Sequence, residues 1–211
     1  MAKETIINVQ RPKLNNATIT ITGTSDLVLN KMNARAIRML LADDRKKVRE
    51  VPNVWEDLCT SVHWRDPLPC EDTYRDIDED FMKKMLKENA PCITAFGLKK
   101  SIGQAVVRNE IDKYSTKIDA ALNISAAKGL VPVRFSSWAV DERLMSPKKG
   151  APVVVRLNHF LGWEADFDIQ FAENVFTLEG LVNIINLAGF GLGIGSGRTS
   201  GYGRYEVTNV K

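Results

Sequence analysis

The clearest periodic patterns lie in the last third of the chain. In WEADFDIQF, residues 163–171, apolar and polar side chains alternate, which predicts a strand with one buried face. FTLEGLVNIINLAG, residues 176–189, has the spacing of an amphipathic helix, with Thr177 as its N-cap and Gly189 as its stop. Further strands are predicted from β-branched and apolar runs over 17–23, 130–140, 151–160 and 203–210.

The first two thirds of the chain are less regular. A helix is predicted over about 32–43 from the spacing of Met32, Ala36, Met39 and Leu40. The spacing of apolar residues predicts helix throughout 91–129. One apolar face is formed by Phe96, Ile102, Ala105 and Val106 and is continued by Ile111 and Tyr114. Residues 51–90 are rich in proline and charge, which predicts loops with a short helix over 79–89, and the charge run 44–50 predicts a solvated face.

The order of these elements predicts the fold class. Without an insertion at approximately 44–129, the order is β-α-β-β-α-β, the plan of α+β domains of the ferredoxin-like (RRM-like) type. We therefore expect one domain over 1–211, with a large helical and loop insertion and a C-terminal glycine-rich loop. Many unrelated functions use this plan, so it does not by itself identify an activity.

Composition narrows the function classes only a little. The 211 residues are 44% hydrophobic and carry a net charge of +3, which fits a globular chain and permits an anionic partner without requiring one. Cys59, Cys70 and Cys92 have no CxxC spacing, so neither a disulfide framework nor a structural zinc site is expected. We see no signal peptide and no membrane span, and expect a cytoplasmic protein without cofactor or metal.

The stretch GFGLGIGSGRTSGYGRYEV, residues 189–207, contains half of the chain's 14 glycines. It is not a mononucleotide P-loop, because Gly191 and Gly197 are one residue too far apart and Arg198 replaces the lysine. The flanks are also reversed, since a helix precedes the stretch and a strand follows it. The dinucleotide fingerprint fails too, because Ser196 stands where its third glycine belongs. A flexible linker would not normally contain this many apolar residues.

Two interpretations of this stretch remain open. In the first it is a tight, ordered turn whose glycines permit positive φ. In the second its bare backbone lets an extended phosphate chain approach the N–H groups, while Arg198 and Arg204 supply charge and Tyr202 or Tyr205 a stacking face.

The loop GIGSGRTSGYGRYEV, lying between the last helix and the last strand, resembles the signature of the RAMP superfamily. This family includes the backbone subunits that coat guide RNA in CRISPR effector complexes. ITITGTSDLVLNKMN resembles the family's first strand and turn, and PCITAFGLKKSIGQAVVRN resembles its loop-to-helix segment. The resemblance implies binding of single-stranded RNA, or of DNA, along the sugar-phosphate backbone by several copies side by side. A stand-alone phage-encoded relative fits as well as a CRISPR subunit.

The predicted function is non-catalytic binding of single-stranded nucleic acid, RNA more than DNA, by a protein that self-associates. The candidate nucleic-acid-binding residues are Gly193, Gly195, Gly197, Arg198, Gly201, Tyr202, Gly203, Arg204, Lys31, Arg35, Arg38, Lys99 and Lys100. One alternative is a metal-independent endoribonuclease that uses His63, His159 or Asp26. Another is a phage interaction or inhibitor protein that borrows the fold. Asp166 and Asp168 share a strand face, which indicates a solvated surface more than a metal site.

Overall fold

The computed structural model describes residues 11–42, 51–69, 71–145 and 152–211, so the charge run 44–50 and Cys70 lie outside the described part of the chain. The strands are β1 (Leu14–Gly23), β2 (Leu27–Leu29), β3 (His63–Trp64), β4 (Pro91–Thr94), β5 (Leu122–Ser125), β6 (Leu130–Arg134), β7 (Ser137–Met145), β8 (Val153–Leu161), β9 (Glu164–Ala172) and β10 (Tyr205–Val210). The helices are α1 (Ala34–Leu41), α2 (Val54–Thr60), α3 (Glu79–Glu88), α4 (Ala95–Arg108), α5 (Thr116–Ala121) and α6 (Leu178–Gly191).

The larger sheet has the strand order β10-β1-β9-β6-β4-β3, and β5 pairs with β9 beside β6. Its pairings are antiparallel. Along β9 the apolar side chains are buried and the carboxylates are not, which confirms the predicted alternation. On the buried side α4 and α6 pack against each other, and they also contact β5 and β10. The main core therefore lies between these two helices and the sheet.

A smaller sheet, in the order β2-β8-β7, joins the first at the turn after β1. Asn158 of β8 is fully buried and ties this sheet to α2. Its amide donates to the carbonyl oxygen of Leu58 and to Ser61 Oγ, both at 3.0 Å, and its oxygen accepts from Trp138 Nε1 at 3.0 Å. A buried amide with every partner in place fixes the relative position of these elements.

The structure corrects the helical prediction for 91–129. This segment begins with β4 and ends with β5, and α4 and α5 lie between them. Pairing with β6 and β9, which lie further along the chain, stabilises the two strands, so local periodicity could not reveal them. Phe96, Ile111 and Tyr114, expected on a buried face, are exposed.

Two smaller predictions also change. The helix predicted over about 32–43 is α1, which covers Ala34–Leu41 and has no buried residue. Thr177 does cap α6, since its side chain accepts from Gly180 N–H, but the helix continues past Gly189 to Gly191. The α+β class is confirmed, and β4, α4 and β5, all within 44–129, belong to the sheet and its core. Among the described residues, no helix has the length and apolar character needed to cross a membrane.

Candidate nucleic-acid interface

A cavity of about 220 Å³ opens where the glycine-rich loop meets the start of α4, and we call it the glycine-loop cleft. Its walls come from the end of β2, from β3, from β4 with the first turns of α4, and from the loop. The lining residues are Leu29, Asn30, Lys31, Ser61, His63, Cys92, Ile93, Thr94, Gly97, Lys100, Ile194, Gly195, Ser196 and Arg198. This lining contains three cationic side chains and one imidazole, but no carboxylate.

The cations of the cleft are not neutralised by neighbours. None of Lys31, Lys100 and Arg198 forms an ion pair with any residue in the described part of the chain. Thr94 caps α4 at the cleft by accepting from Gly97 N–H at 3.1 Å, so the positive end of this helix dipole faces the same space. The cleft therefore favours an anion.

Burial lowers the pKa of two groups in the cleft. Desolvation lowers the pKa of Lys31 from the usual lysine value, because removal of water disfavours the ammonium form. Burial also lowers the pKa of His63, and the positive charge of Lys31 lowers it further. The His63 imidazole is therefore mainly neutral at pH 7. An anion in the cleft would offset both penalties, because it favours the charged forms.

The glycine-rich loop is fastened to the turn between β1 and β2. Gly203 N–H donates to the carbonyl oxygen of Asp26 at 2.7 Å, and Ser196 N–H donates to that of Val28 at 2.8 Å. Ser25 Oγ donates to the carbonyl oxygen of Gly201 at 2.9 Å and accepts from Arg204 N–H at 2.9 Å. These bonds order the loop beside β2, and they position Arg198 at the cleft.

The glycines allow the backbone of the loop to pack this closely against neighbouring backbone. A Cβ on Gly203 would lie 1.8 Å from the carbonyl oxygen of Ile194, and the residue has φ of +69°. A Cβ on Gly195 would lie 2.5 Å from the carbonyl oxygen of Val28. The N–H groups of Gly193 and Gly203 already donate to carbonyl oxygens inside the protein. Those of Gly195 and Gly197 have no acceptor among the described residues, so these two are the loop glycines that can donate to a phosphate.

Several predicted binding residues lie away from the cleft with their charges engaged. Arg35 pairs with Asp57 at 2.5 Å, and Arg38 pairs with Glu56 at 2.7 Å. Lys99 Nζ donates to the carbonyl oxygen of Asp119 at 2.9 Å. In the loop, Arg204 turns back and its guanidinium donates to the carbonyl oxygen of Arg198 at 3.3 Å. The partners of Arg35 and Arg38 both come from α2, which sequence periodicity could not place beside α1.

Two of the three candidate catalytic residues meet, but away from the cleft. His159 Nδ1 lies 3.5 Å from Asp26 Oδ2, and His159 Nε2 lies 3.5 Å from Asp141 Oδ2. The Tyr202 ring packs edge-on against His159 at 5.0 Å, and its hydroxyl accepts from Arg143. The His159 side chain is only 7% exposed, so the cluster links the loop to β7 and β8 and leaves little room for a substrate.

Tyr205, the other tyrosine expected to stack, is fully buried and packs against Trp163. Burial raises the pKa of its hydroxyl, since the ionised form would be desolvated. It therefore cannot offer a face to a ligand, which corrects the prediction. Tyr205 is the first residue of β10 and the one residue of this strand that is buried.

No protein-family model and no curated protein sequence matches this chain. Solved structures do match it. A chain in the cryo-EM structure of the type III-B Cmr-beta bound to cognate target RNA gives a TM-score of 0.52 at 12% identity, over 94% of this chain and 60% of that chain. The chain has a RAMP-like fold. It spans less than two thirds of that Cmr-beta chain. The crystal structure of Cmr6 from Pyrococcus furiosus gives a TM-score of 0.39 at 12% identity, over 93% of this chain and 99% of that chain.

Within this RAMP-like fold, the three segments that carry the sequence resemblance meet at the cleft. The turn after β1 holds the glycine-rich loop, and Ser101 Oγ of α4 donates to the carbonyl oxygen of Gly193 at 2.9 Å. Sequence reasoning missed Asn30, Thr94 and Ser196 as lining residues. Thr94 could have been found as a cap, since threonine is among the residues preferred at the N-cap of a helix.

The opposite face of the larger sheet is acidic. Arg134 contacts both Glu164 and Asp166, and the hydroxyl of Thr18 donates to Asp168 at 2.7 Å. The Arg134 guanidinium lowers the pKa of Asp166 below the usual aspartate value. Among the described residues, no group of three or more His, Cys, Asp or Glu side chains is placed to hold a metal ion.

Proposed function

We propose that this protein binds single-stranded nucleic acid, RNA more than DNA, through the sugar-phosphate backbone and without catalysing a reaction. The observation that supports it most directly is the glycine-loop cleft, in which Lys31, Lys100 and Arg198 lack ion-pair partners among the described residues and no carboxylate lines the wall. A chain segment of phosphates is the extended polyanion that such a surface attracts. The fold is also shared with a chain of a complex whose structure contains target RNA.

The cleft is a better candidate surface than the open face of the sheet. RNA-recognition sheets stack bases on exposed aromatic rings. Here β9 places Glu164, Asp166 and Asp168 on that face, and Arg134 pairs with the first two, so the group keeps a net negative charge that disfavours phosphate. We therefore place the bound strand along the glycine-rich loop and the start of α4, with Gly195 and Gly197 as backbone donors and Arg198 as the central cation.

We also propose that β1, α4, β5, β9, α6 and β10 form a ferredoxin-like core. Support comes from their order along the chain and from the strand order β10-β1-β9-β5. In this interpretation 1–211 is one domain, and the inserted segment ends before β4. Self-association is part of the proposal, supported by the exposed apolar side chains of Ile37, Leu40 and Leu41 on α1. We place the protein in the cytoplasm.

The direct test is the binding of a fluorescein-labelled 30-nucleotide single-stranded RNA, followed by fluorescence anisotropy at 50 mM salt. We expect saturable binding that weakens steeply as salt is raised, and DNA of the same sequence binding less tightly. Light scattering coupled to size exclusion should show complexes that contain more than one 23.6 kDa protein per RNA. Absence of binding at 50 mM salt would contradict the proposal.

A second candidate function, metal-independent RNA cleavage, is favoured by one observation. His63 lines the same cleft as the three cations, and its lowered pKa leaves a neutral imidazole that can accept a proton at pH 7. Incubation of labelled RNA in EDTA with the wild type and with His63→Ala tests this activity. Cleavage by the wild type that disappears in His63→Ala would establish it. Intact RNA with both proteins would exclude it.

A further inference from the structure

Phe96 is exposed beside the glycine-loop cleft, where an apolar ring would ordinarily be covered. The residue is 76% exposed although it lies in the first turn of α4, directly after a buried strand. Its neighbour Gly97 lines the cleft. Lys100, one helical turn later, also lines the cleft and places Nζ 5.9 Å from the centroid of the Phe96 ring. The ring itself lies in the adjoining groove between α4 and α5, which also contains Asp119, and Lys100 lines both this groove and the cleft.

Charge and shape together indicate what would cover this ring. A partner that fills the cleft should be anionic, since three cations without ion-pair partners among the described residues and the positive end of α4 face it. In a single-stranded nucleic acid each phosphate is followed by a base about one sugar away, and every base has a face that stacks on an aromatic ring. A single-stranded nucleic acid would supply both a phosphate for the cleft and a flat base for the ring beside Lys100.

We propose that Phe96 is a base-stacking residue, and that it holds the base next to the phosphate bound by Lys100. This inference rests on the proposed function and adds to it the contact that distinguishes a nucleic acid from any other polyanion. It also assigns the stacking role to α4 and not to the tyrosines of the glycine-rich loop. Stacking is tolerant of sequence, so the contact should strengthen binding to single strands without selecting a base.

The chain provides a matched control for this residue. Tyr114 is also exposed, at 58%, and Lys113 Nζ lies 5.3 Å from its ring centroid. It lies in the segment between α4 and α5, and it lines neither the cleft nor the groove that contains Phe96. Phe96→Ala and Tyr114→Ala therefore remove the same kind of aromatic and lysine pair at two separate places. Neither change should unfold the protein, since neither ring is buried.

The test uses two fluorescein-labelled 12-nucleotide probes, oligouridylate and an abasic oligomer with the same backbone. Phe96→Ala should weaken oligouridylate binding about tenfold, leave abasic binding and the salt dependence unchanged, and be rescued by Phe96→Trp. Tyr114→Ala should bind both probes as the wild type does. Equal oligouridylate binding by Phe96→Ala and the wild type, or an equal loss on both probes, would overturn the inference while leaving the cleft intact. If the wild type binds neither probe, the proposed function itself is wrong.

Discussion

Arg198→Ala should reduce both the affinity for single-stranded RNA and the dependence of that affinity on salt. The side chain lines the cleft and makes no ion pair or hydrogen bond within the described residues, so its removal breaks no internal polar contact of the side chain. The carbonyl oxygen of Arg198 accepts from Gly201 N–H and from Arg204, and these backbone contacts persist in alanine. The variant therefore tests one phosphate contact with little disturbance of the loop.

The expected size of the salt dependence follows from the number of cations in the cleft. Each phosphate neutralised on a single strand contributes a slope of about −0.7 to the plot of log affinity against log salt. With Lys31, Lys100 and Arg198 engaged, the slope is about −2, and affinity falls about 20-fold between 50 and 200 mM salt. Without Arg198 the slope is about −1.4, and the fall is about sevenfold. At 50 mM salt the variant should bind about eightfold more weakly than the wild type.

The assay is anisotropy of the labelled 30-nucleotide RNA at four salt concentrations, with Lys84→Ala as the control. Lys84 lies on α3, lines none of the cavities described above, and pairs loosely with Glu88 at 3.9 Å. Its removal changes net charge by the same amount but should leave the slope near −2. If the two variants have the same slope, the cleft does not hold the phosphates, and the effect of Arg198 is one of overall charge.

Two further predictions concern the same site. RNA binding should tighten as pH falls through the range below about 6.5, by at most tenfold per pH unit, because a bound phosphate raises the lowered pKa of His63 and the complex takes up a proton. The variant His63→Asn, measured by anisotropy from pH 5.5 to 8, should lose this pH dependence. A variant profile equal to that of the wild type would place His63 away from the phosphates. Gly203→Ala should destabilise the fold by about 3 kcal/mol or more, because its Cβ would clash with the carbonyl oxygen of Ile194. Gly201→Ala, with φ of +88° but open space around the Cβ, should cost about 1 kcal/mol. Urea unfolding compares the two variants, and equal losses of stability would mean that strain in φ, not close packing, sets the role of these glycines.

The same lowered pKa has the opposite consequence for folding of the free protein. The unfolded chain has an ordinary histidine near 6.5 and takes up the proton first, so the native state loses stability as pH falls from about 6.5 through the lowered folded-state pKa. Binding and stability should therefore move in opposite directions over one pH range. This separates a specific effect of His63 on RNA binding from a general loosening of the protein at acid pH.

Elements with a strong local period could be predicted from the sequence. The alternation along β9 and the helical spacing of α6 both place apolar side chains on one face, and the structure buries those faces. β4 and β5 are only four residues each and were predicted as helix, since a segment that short has little period of its own. Their strand conformation depends on β6 and β9, so only the tertiary fold specifies it.

The binding residues were harder to predict for a different reason. Sequence counts basic side chains but does not show which have acidic neighbours in space. Arg35 and Lys31 lie four residues apart, yet Asp57 neutralises the first and no described carboxylate pairs with the second. Whether a cation is available to a phosphate depends on contacts between elements about 20 residues apart in the chain.

The glycine-rich loop combines features of both interpretations of its sequence. Gly193 and Gly203 serve packing, because their N–H groups are already bonded and their missing Cβ atoms allow the backbone to pass. The N–H groups of Gly195 and Gly197, at or near the cleft, have no acceptor in the part of the chain that the structure describes. A loop that is ordered before binding loses less entropy when a ligand arrives. A Gly203→Ala protein that still folds should therefore bind RNA more weakly with its salt slope unchanged, whereas Arg198→Ala changes the slope. Equal slopes in these two variants would remove the distinction between a residue that positions the loop and one that contacts phosphate.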